Sequence, residues 1–155
     1  MPLWPEARLL LCLAAMGLVA CGAVNTRPHL APLPDALVDT LHVTPATVIS
    51  ELESLTVAEG FRIQVSAPRE GYLETKWHDV ASEGDRRTAV RFRFFASPIG
   101  EDLTELITEA VMPHTMDPSL PERENERMIP DDHPGQVLVT RVLRSLADRH
   151  GTARP

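Results

Sequence analysis

Two-residue alternation of apolar and polar side chains dominates the middle of this chain, and it leaves few ways to fold. Phe61, Ile63 and Val65 alternate with Arg62, Gln64 and Ser66; Leu73, Thr75 and Trp77 alternate with Glu74, Lys76 and His78; Val90, Phe92 and Phe94 alternate with Arg91 and Arg93. Successive side chains of a strand point to opposite faces, so each run predicts a strand with one apolar and one polar face, and Trp77 is expected to point inward. The stretch 68–71, opening with Pro68 and closing with Gly71, reads as the turn joining the first two strands into a hairpin. Residues 81–86, polar and containing Gly84, read as a separator before the third strand. An antiparallel sheet of this kind must cover its apolar face.

Two helical stretches are available to cover it. Thr44-Pro45 is a helix start, because a Thr side chain accepts from the free N–H groups of a first turn and Pro at the first helical position gives up no needed donor. From there Val48, Ile49, Leu52 and Leu55 recur at three- and four-residue spacing to Ala58 or Glu59, and Gly60 stops the helix. At the other end, 135–150 carries an apolar stripe of Val139, Val142, Leu143, Leu146 and Ala147, with Arg141, Arg144 and Arg149 outside it and Gly151 as its stop.

Residues 36–43 give a weaker strand signal through Leu37, Leu41 and Val43. Residues 102–112 fit either state: Leu103, Leu106, Ile107, Ala110 and Val111 slightly favour a helix on pattern alone. Strand is nevertheless the expectation, because 97–101 looks like a hairpin turn, Pro113 ends the run, and Glu105 and Glu109 would then face Arg91 and Arg93 across the sheet. Residues 113–134 hold five prolines among Glu, Asp and Arg and read as a long surface connection with at most a helical turn near 122–127. Shortening it at 119–128 is expected to leave stability nearly unchanged. The fold class is therefore α+β: a two-layer sandwich of about four to five antiparallel strands with two helices on one face, in the order β-α-β-β-β-β-α.

The first residues carry an address. Arg8 precedes an apolar run over 9–19, which as a helix spans about 16 Å against roughly 30 Å of hydrocarbon and so reads as a secretion signal. Leu18-Val19-Ala20-Cys21 resembles the lipobox of bacterial lipoproteins. That resemblance implies cleavage before Cys21, diacylglycerol on its thiol and acylation of the new amine. Gly22, in place of Asp, implies export to the outer membrane in Gram-negative members of the family. The expected divisions are a signal peptide over 1–20, lipidated Cys21 with a Pro-rich tether over 21–34, a periplasmic domain over 35–151 and a flexible end over 152–155. Both cysteines, Cys12 and Cys21, fall within this N-terminal part, so the domain has no thiol for a disulfide or a Cys-based metal site.

The chain is 155 residues with a net charge of -7, which suits one domain and excludes a nucleic-acid binder, since no concentrated basic face is present. The lipobox, the Pro-rich tether, the helix followed by Gly60-Phe61, and the run Gly71-Tyr72-Leu73-Glu74-Thr75-Lys76-Trp77 together resemble the helix-grip domains of BamC-type lipoproteins of the outer-membrane assembly machinery. Members usually carry two such domains, and this chain has room for one. His78, Asp79, His114, Asp117, Asp131, Asp132 and His133 are the ligand types a metal would use, but their spacing matches no motif and solvated loop residues are the better account. No cofactor is expected. GxSxG and Gly-rich phosphate loops are absent, so no nucleophile is visible. Arg86, Arg87, Arg91 and Arg93 form the one basic cluster. The expected function is a non-enzymatic outer-membrane lipoprotein, held to the membrane at Cys21, with an envelope protein as partner. The candidate partner surface is Glu122, Arg123, Glu124, Glu126 and Arg127. The alternative is a carrier or sensor of an apolar ligand between sheet and helices, lined by Trp77, Phe92 and Phe94.

Overall fold

The computed structural model describes residues 31–83, 86–114 and 117–151; the expected signal peptide, Cys21, the first part of the tether and the end over 152–155 lie outside the described residues. Over the described residues the fold is α+β, with an open seven-stranded antiparallel sheet and two helices. In chain order the elements are β1 (Leu37–Leu41), α1 (Pro45–Ala58), β2 (Ile63–Ala67), β3 (Tyr72–Thr75), β4 (His78–Glu83), β5 (Arg86–Gly100), β6 (Leu103–Pro113), β7 (Glu126–Met128) and α2 (Pro134–His150).

A long central hairpin organises the sheet. β5 and β6 pair antiparallel from Arg91 opposite Val111 to Gly100 opposite Leu103, and Asp102 takes a positive φ of 55° in the turn between them. Each has an outer edge shared by two short strands: β3 and β4 lie along β5, and β1 and β7 along β6. β2 then adds to β3. The ambiguous run over 102–112 is thus a strand, as the hairpin turn and Pro113 imply.

Position parity sorts the two faces. Val90, Phe92, Phe94 and Ala96 of β5, with Leu106 and Ala110 of β6 and Leu73 of β3, face Val48, Ile49 and Leu52 of α1 and Val139, Val142 and Leu146 of α2 in one buried cluster. Both helices therefore cover the same face. Phe61 joins the layer by stacking on Phe92, with ring centroids 4.4 Å apart.

Helix ends follow local chemistry, with one departure. Thr44 precedes Pro45 as expected, but its side chain does not cap the first turn; its hydroxyl instead shares a 3.0 Å hydrogen bond with that of Thr47. α2 begins one residue earlier than its apolar stripe suggests, because His133 caps it: Nδ1 accepts from the Gly135 N–H at 3.0 Å. Gly71 is obligatory in the turn before β3. Its φ is 65°, and an added Cβ would lie 2.0 Å from the Ala96 carbonyl oxygen across the sheet.

Two expectations fail on strand count. Residues 81–86 are not a separator, since β4 pairs with the first part of β5 from His78 opposite Val90 to Glu83 opposite Arg86. The connection over 113–134 is not merely superficial, since after a 3-10 turn at Glu122–Asn125 it forms β7 against β6. Together they raise the expected four to five strands to seven.

The run 73–78 is also not one strand. β3 ends at Thr75, the Lys76 N–H turns back to the Arg62 carbonyl at 2.7 Å, and β4 restarts at His78 with shifted parity. His78, not Trp77, lies on the helix side, its ring 4.5 Å from Phe61. Trp77 is half-buried on the opposite face.

Candidate functional site

The opposite face of the sheet is where the charges meet. Arg91 and Arg93 occupy odd positions of β5, Glu74 the matching face of β3, and Glu109 is the cross-strand partner of Arg93 on β6. Left open, this face would be solvated. Two segments cross it instead: the tether end over 31–33, and the stretch 117–128 that leads into β7.

Glu126 at the start of β7 is the keystone. Its side chain is 1% exposed and takes Arg93 in a bidentate grip, Nη1 at 2.6 Å and Nη2 at 2.8 Å. Arg93, 4% exposed, also donates from Nε to Glu74 at 3.1 Å. Arg91 points one nitrogen at Glu74, Glu122 and Glu126 at 3.2, 3.0 and 3.4 Å, and its guanidinium lies 4.4 Å over the Trp77 ring. The Trp77 indole N–H donates to Glu122 at 3.2 Å.

Glu109 makes the second clamp. Its wholly buried carboxylate receives Arg123 through both terminal nitrogens, at 2.6 and 2.9 Å, and the Leu33 N–H at 2.8 Å. Arg123 in turn donates to the Ala31 carbonyl. The end of the expected tether is thereby bound to the sheet and to the 117–128 segment by one ion pair.

Glu109 and Arg93 are held in their charged forms and Tyr72 in its neutral form. Burial alone would raise the Glu109 carboxyl, but the Arg123 and Leu33 hydrogen bonds outweigh it and hold the group below its ordinary range. Burial likewise opposes charge on Arg93, and its bonds to Glu126 and Glu74 overcome that. Burial, reinforced by the neighbouring Glu74, pushes the Tyr72 phenol up, so it stays protonated and donates to Glu74 at 2.9 Å. The bonds of Glu109 and Glu126 tie the tether end and the 117–128 segment to the sheet.

Beside the network is a cleft of about 500 Å³. Trp77, Ala89, Pro113, Pro118 and Leu120 give it apolar walls, Asp117 and Glu122 give it acidic ones, and Glu126, its carboxylate turned to Arg93, also borders it. Asp117 sits in a local turn, accepting from the Ser119 N–H at 2.9 Å and hydroxyl at 2.6 Å, and these bonds hold its carboxyl below the usual range.

The residues nominated from sequence are distributed unevenly. Of the five in the candidate partner surface, Glu126 and Arg123 are turned into the sheet and Glu122 bridges Arg91 and Trp77, while Glu124 and Arg127 are exposed. Shortening 119–128 would strip Glu122, Arg123 and Glu126 from their buried partners, so the expected neutrality for stability does not hold. Glu109 faces Arg93 as expected, but Glu105 pairs with Ser97, not with Arg91. The side chains of Arg86 and Arg87 lie outside the described residues. Phe92 and Phe94 are fully buried core, and Trp77 is across the sheet from them, so these three line no common cavity. The metal-type residues stay apart: His78 stacks on Phe61, His133 caps α2, and Asp79, His114, Asp131 and Asp132 are exposed. Among the described residues no three His, Cys, Asp or Glu gather as a metal would need.

Sequence reading missed Glu74 and the tether end as partners. The available signal was the pair Arg91 and Arg93 on one strand, whose charges had to be met by something once that face was covered. No protein-family model matches the chain, and no curated protein sequence is similar enough to count as a match.

Proposed function

We propose that this chain is a non-enzymatic lipoprotein of the bacterial outer membrane, anchored through acylated Cys21, with a periplasmic domain that acts as a protein-interaction module. The order of features along the chain carries the proposal: Leu18-Val19-Ala20-Cys21 follows an apolar run too short to span a bilayer, and a folded α+β domain follows after a short Pro-containing tether. Among the described residues no helix is long and apolar enough to cross a membrane. Each buried methylene of an acyl chain contributes about 0.8 kcal/mol and one chain holds only marginally, so two or three chains on Cys21 make the attachment lasting. The resemblance to BamC-type domains supports an accessory role in the envelope.

Metabolic labelling with radioactive palmitate tests the anchor. The chain is expected to take up label and fractionate with outer membranes, and Cys21→Ala to abolish both. Continued labelling of Cys21→Ala would overturn the lipobox reading, as would an unprocessed, unlabelled wild-type chain.

A further inference from the structure

We infer that the cleft beside Trp77 is the docking site of the module, and that its occupant is an extended peptide segment of a partner protein inserting a lysine or arginine side chain. This rests on the interaction-module reading above and supplies the chemistry of the partner.

The walls select the side chain. Trp77, Pro118 and Leu120 offer an apolar channel suited to a methylene stem, and Asp117 and Glu122 stand beside it with carboxylates for a positive end. The charge balance points the same way. Arg91, Arg93 and Arg123 are the cations of the network beside the cleft, and each is already engaged: Arg93 by Glu126 and Glu74, Arg123 by Glu109, and Arg91 by three carboxylates at once. Four glutamates meet these three arginines, and Asp117 adds a fifth carboxylate. Among the described residues of the network and the cleft lining, carboxylates outnumber guanidiniums, and Glu122 is largely exposed at 62% of its side chain.

A peptide is favoured over a lipid headgroup. A zwitterionic lipid brings a phosphate with its ammonium, and the arginines that would receive that phosphate are taken. A Lys or Arg side chain brings positive charge alone.

Equilibrium dialysis of the purified full chain tests this, against pools of capped pentapeptides with randomised flanks and Lys, Arg, norleucine or Glu at the centre. Lys and Arg pools should be retained about tenfold over norleucine, equivalent to ~1.4 kcal/mol, with Glu not retained. Added salt should lower that preference, since the carboxylates are partly exposed. The double variant Asp117→Asn, Glu122→Gln keeps both hydrogen-bond acceptors, toward Ser119 and toward Trp77, and removes both charges. It should keep the parent's far-ultraviolet circular dichroism and lose the preference. Equal retention of norleucine, retention unchanged in the double variant, or no pool retained would each overturn the inference. Sedimentation of unacylated Cys21→Ala protein with phosphatidylethanolamine–phosphatidylglycerol vesicles, if abolished in the double variant while no peptide binds, would reassign the cleft to lipid. Palmitate labelling is read separately: a labelled chain indifferent to peptide charge sinks the cleft alone, and an unlabelled chain that prefers Lys and Arg sinks the anchor alone.

Discussion

Replacing Glu126 with Ala should be among the most damaging single changes on the charged face. The carboxylate is 1% exposed and receives two short bonds from Arg93, at 2.6 and 2.8 Å, plus a longer one from Arg91 at 3.4 Å. Its removal leaves a buried guanidinium holding only Glu74 at 3.1 Å and Glu109 at 3.6 Å. Breaking a buried ion pair from one side costs about 3–5 kcal/mol, and the two remaining carboxylates place this case near the lower end, ~3 kcal/mol. A domain of this size has a net stability of about 5–15 kcal/mol, so a large share is lost. With a urea slope of about 2 kcal/mol/M, the midpoint followed by far-ultraviolet circular dichroism should fall by ~1.5 M. If the cost is an orphaned charge and not lost packing, Arg93→Leu, Glu126→Leu together should be less destabilised than the sum of the singles. A cost under about 1 kcal/mol for Glu126→Ala, or strict additivity in the cycle, would refute the account of Glu126 as keystone.

Gly71→Ala should cost more than the ~1 kcal/mol of an ordinary Gly-to-Ala change in the left-handed region, because its Cβ meets the Ala96 backbone 2.0 Å away; thermal melts showing no loss would mean the β2–β3 turn rearranges. Trp77→Ala should cost about 1 kcal/mol, against about 3–5 kcal/mol for fully buried Phe94→Ala, and equal losses in urea titrations would place Trp77 in the core after all. Glu109 has a native pKa held below its ordinary 4.5, so the stability it confers is present above that value and is lost as pH falls through the lower native value. Glu109→Gln should therefore flatten the acid limb of a stability–pH curve, and an unchanged limb would show that other carboxylates govern it.

The helices and the apolar face were legible because each is written in local periodicity: Val48, Ile49 and Leu52 on one helix and Phe92 and Phe94 on one strand declare their faces without reference to the rest of the chain. The strand at Leu103–Pro113 was legible only through its neighbours, since its own residues suit both states and cross-strand pairing decided between them. Trp77 was misplaced because alternation continues across Lys76 in the sequence while the backbone does not, and a parity shift leaves no trace in a pattern of period two. The ionic network was hidden for a different reason. Arg93 and Glu126, or Glu109 and Leu33, are brought together by tertiary folding alone, and a Glu on a Pro-rich connection looks the same whether it ends in water or against a buried guanidinium.

The Glu109–Arg123 clamp also limits where the domain can stand. Because it holds both the Leu33 N–H and the Ala31 carbonyl, the chain is fixed to the sheet from residue 31 and not from the tether's expected end at 34. Under the proposed anchor at Cys21, nine residues lie between the lipid-bearing residue and Ala31, a span of ten residue steps and at most ~36 Å when fully extended. The clamp and the cleft share the 117–128 segment, so the surface inferred to receive a partner's basic side chain is tied to the same point that receives the anchor. A partner reaching Trp77 would have to present its segment near the membrane surface, which favours an envelope protein with a membrane-proximal extended stretch over one confined to the middle of the periplasm.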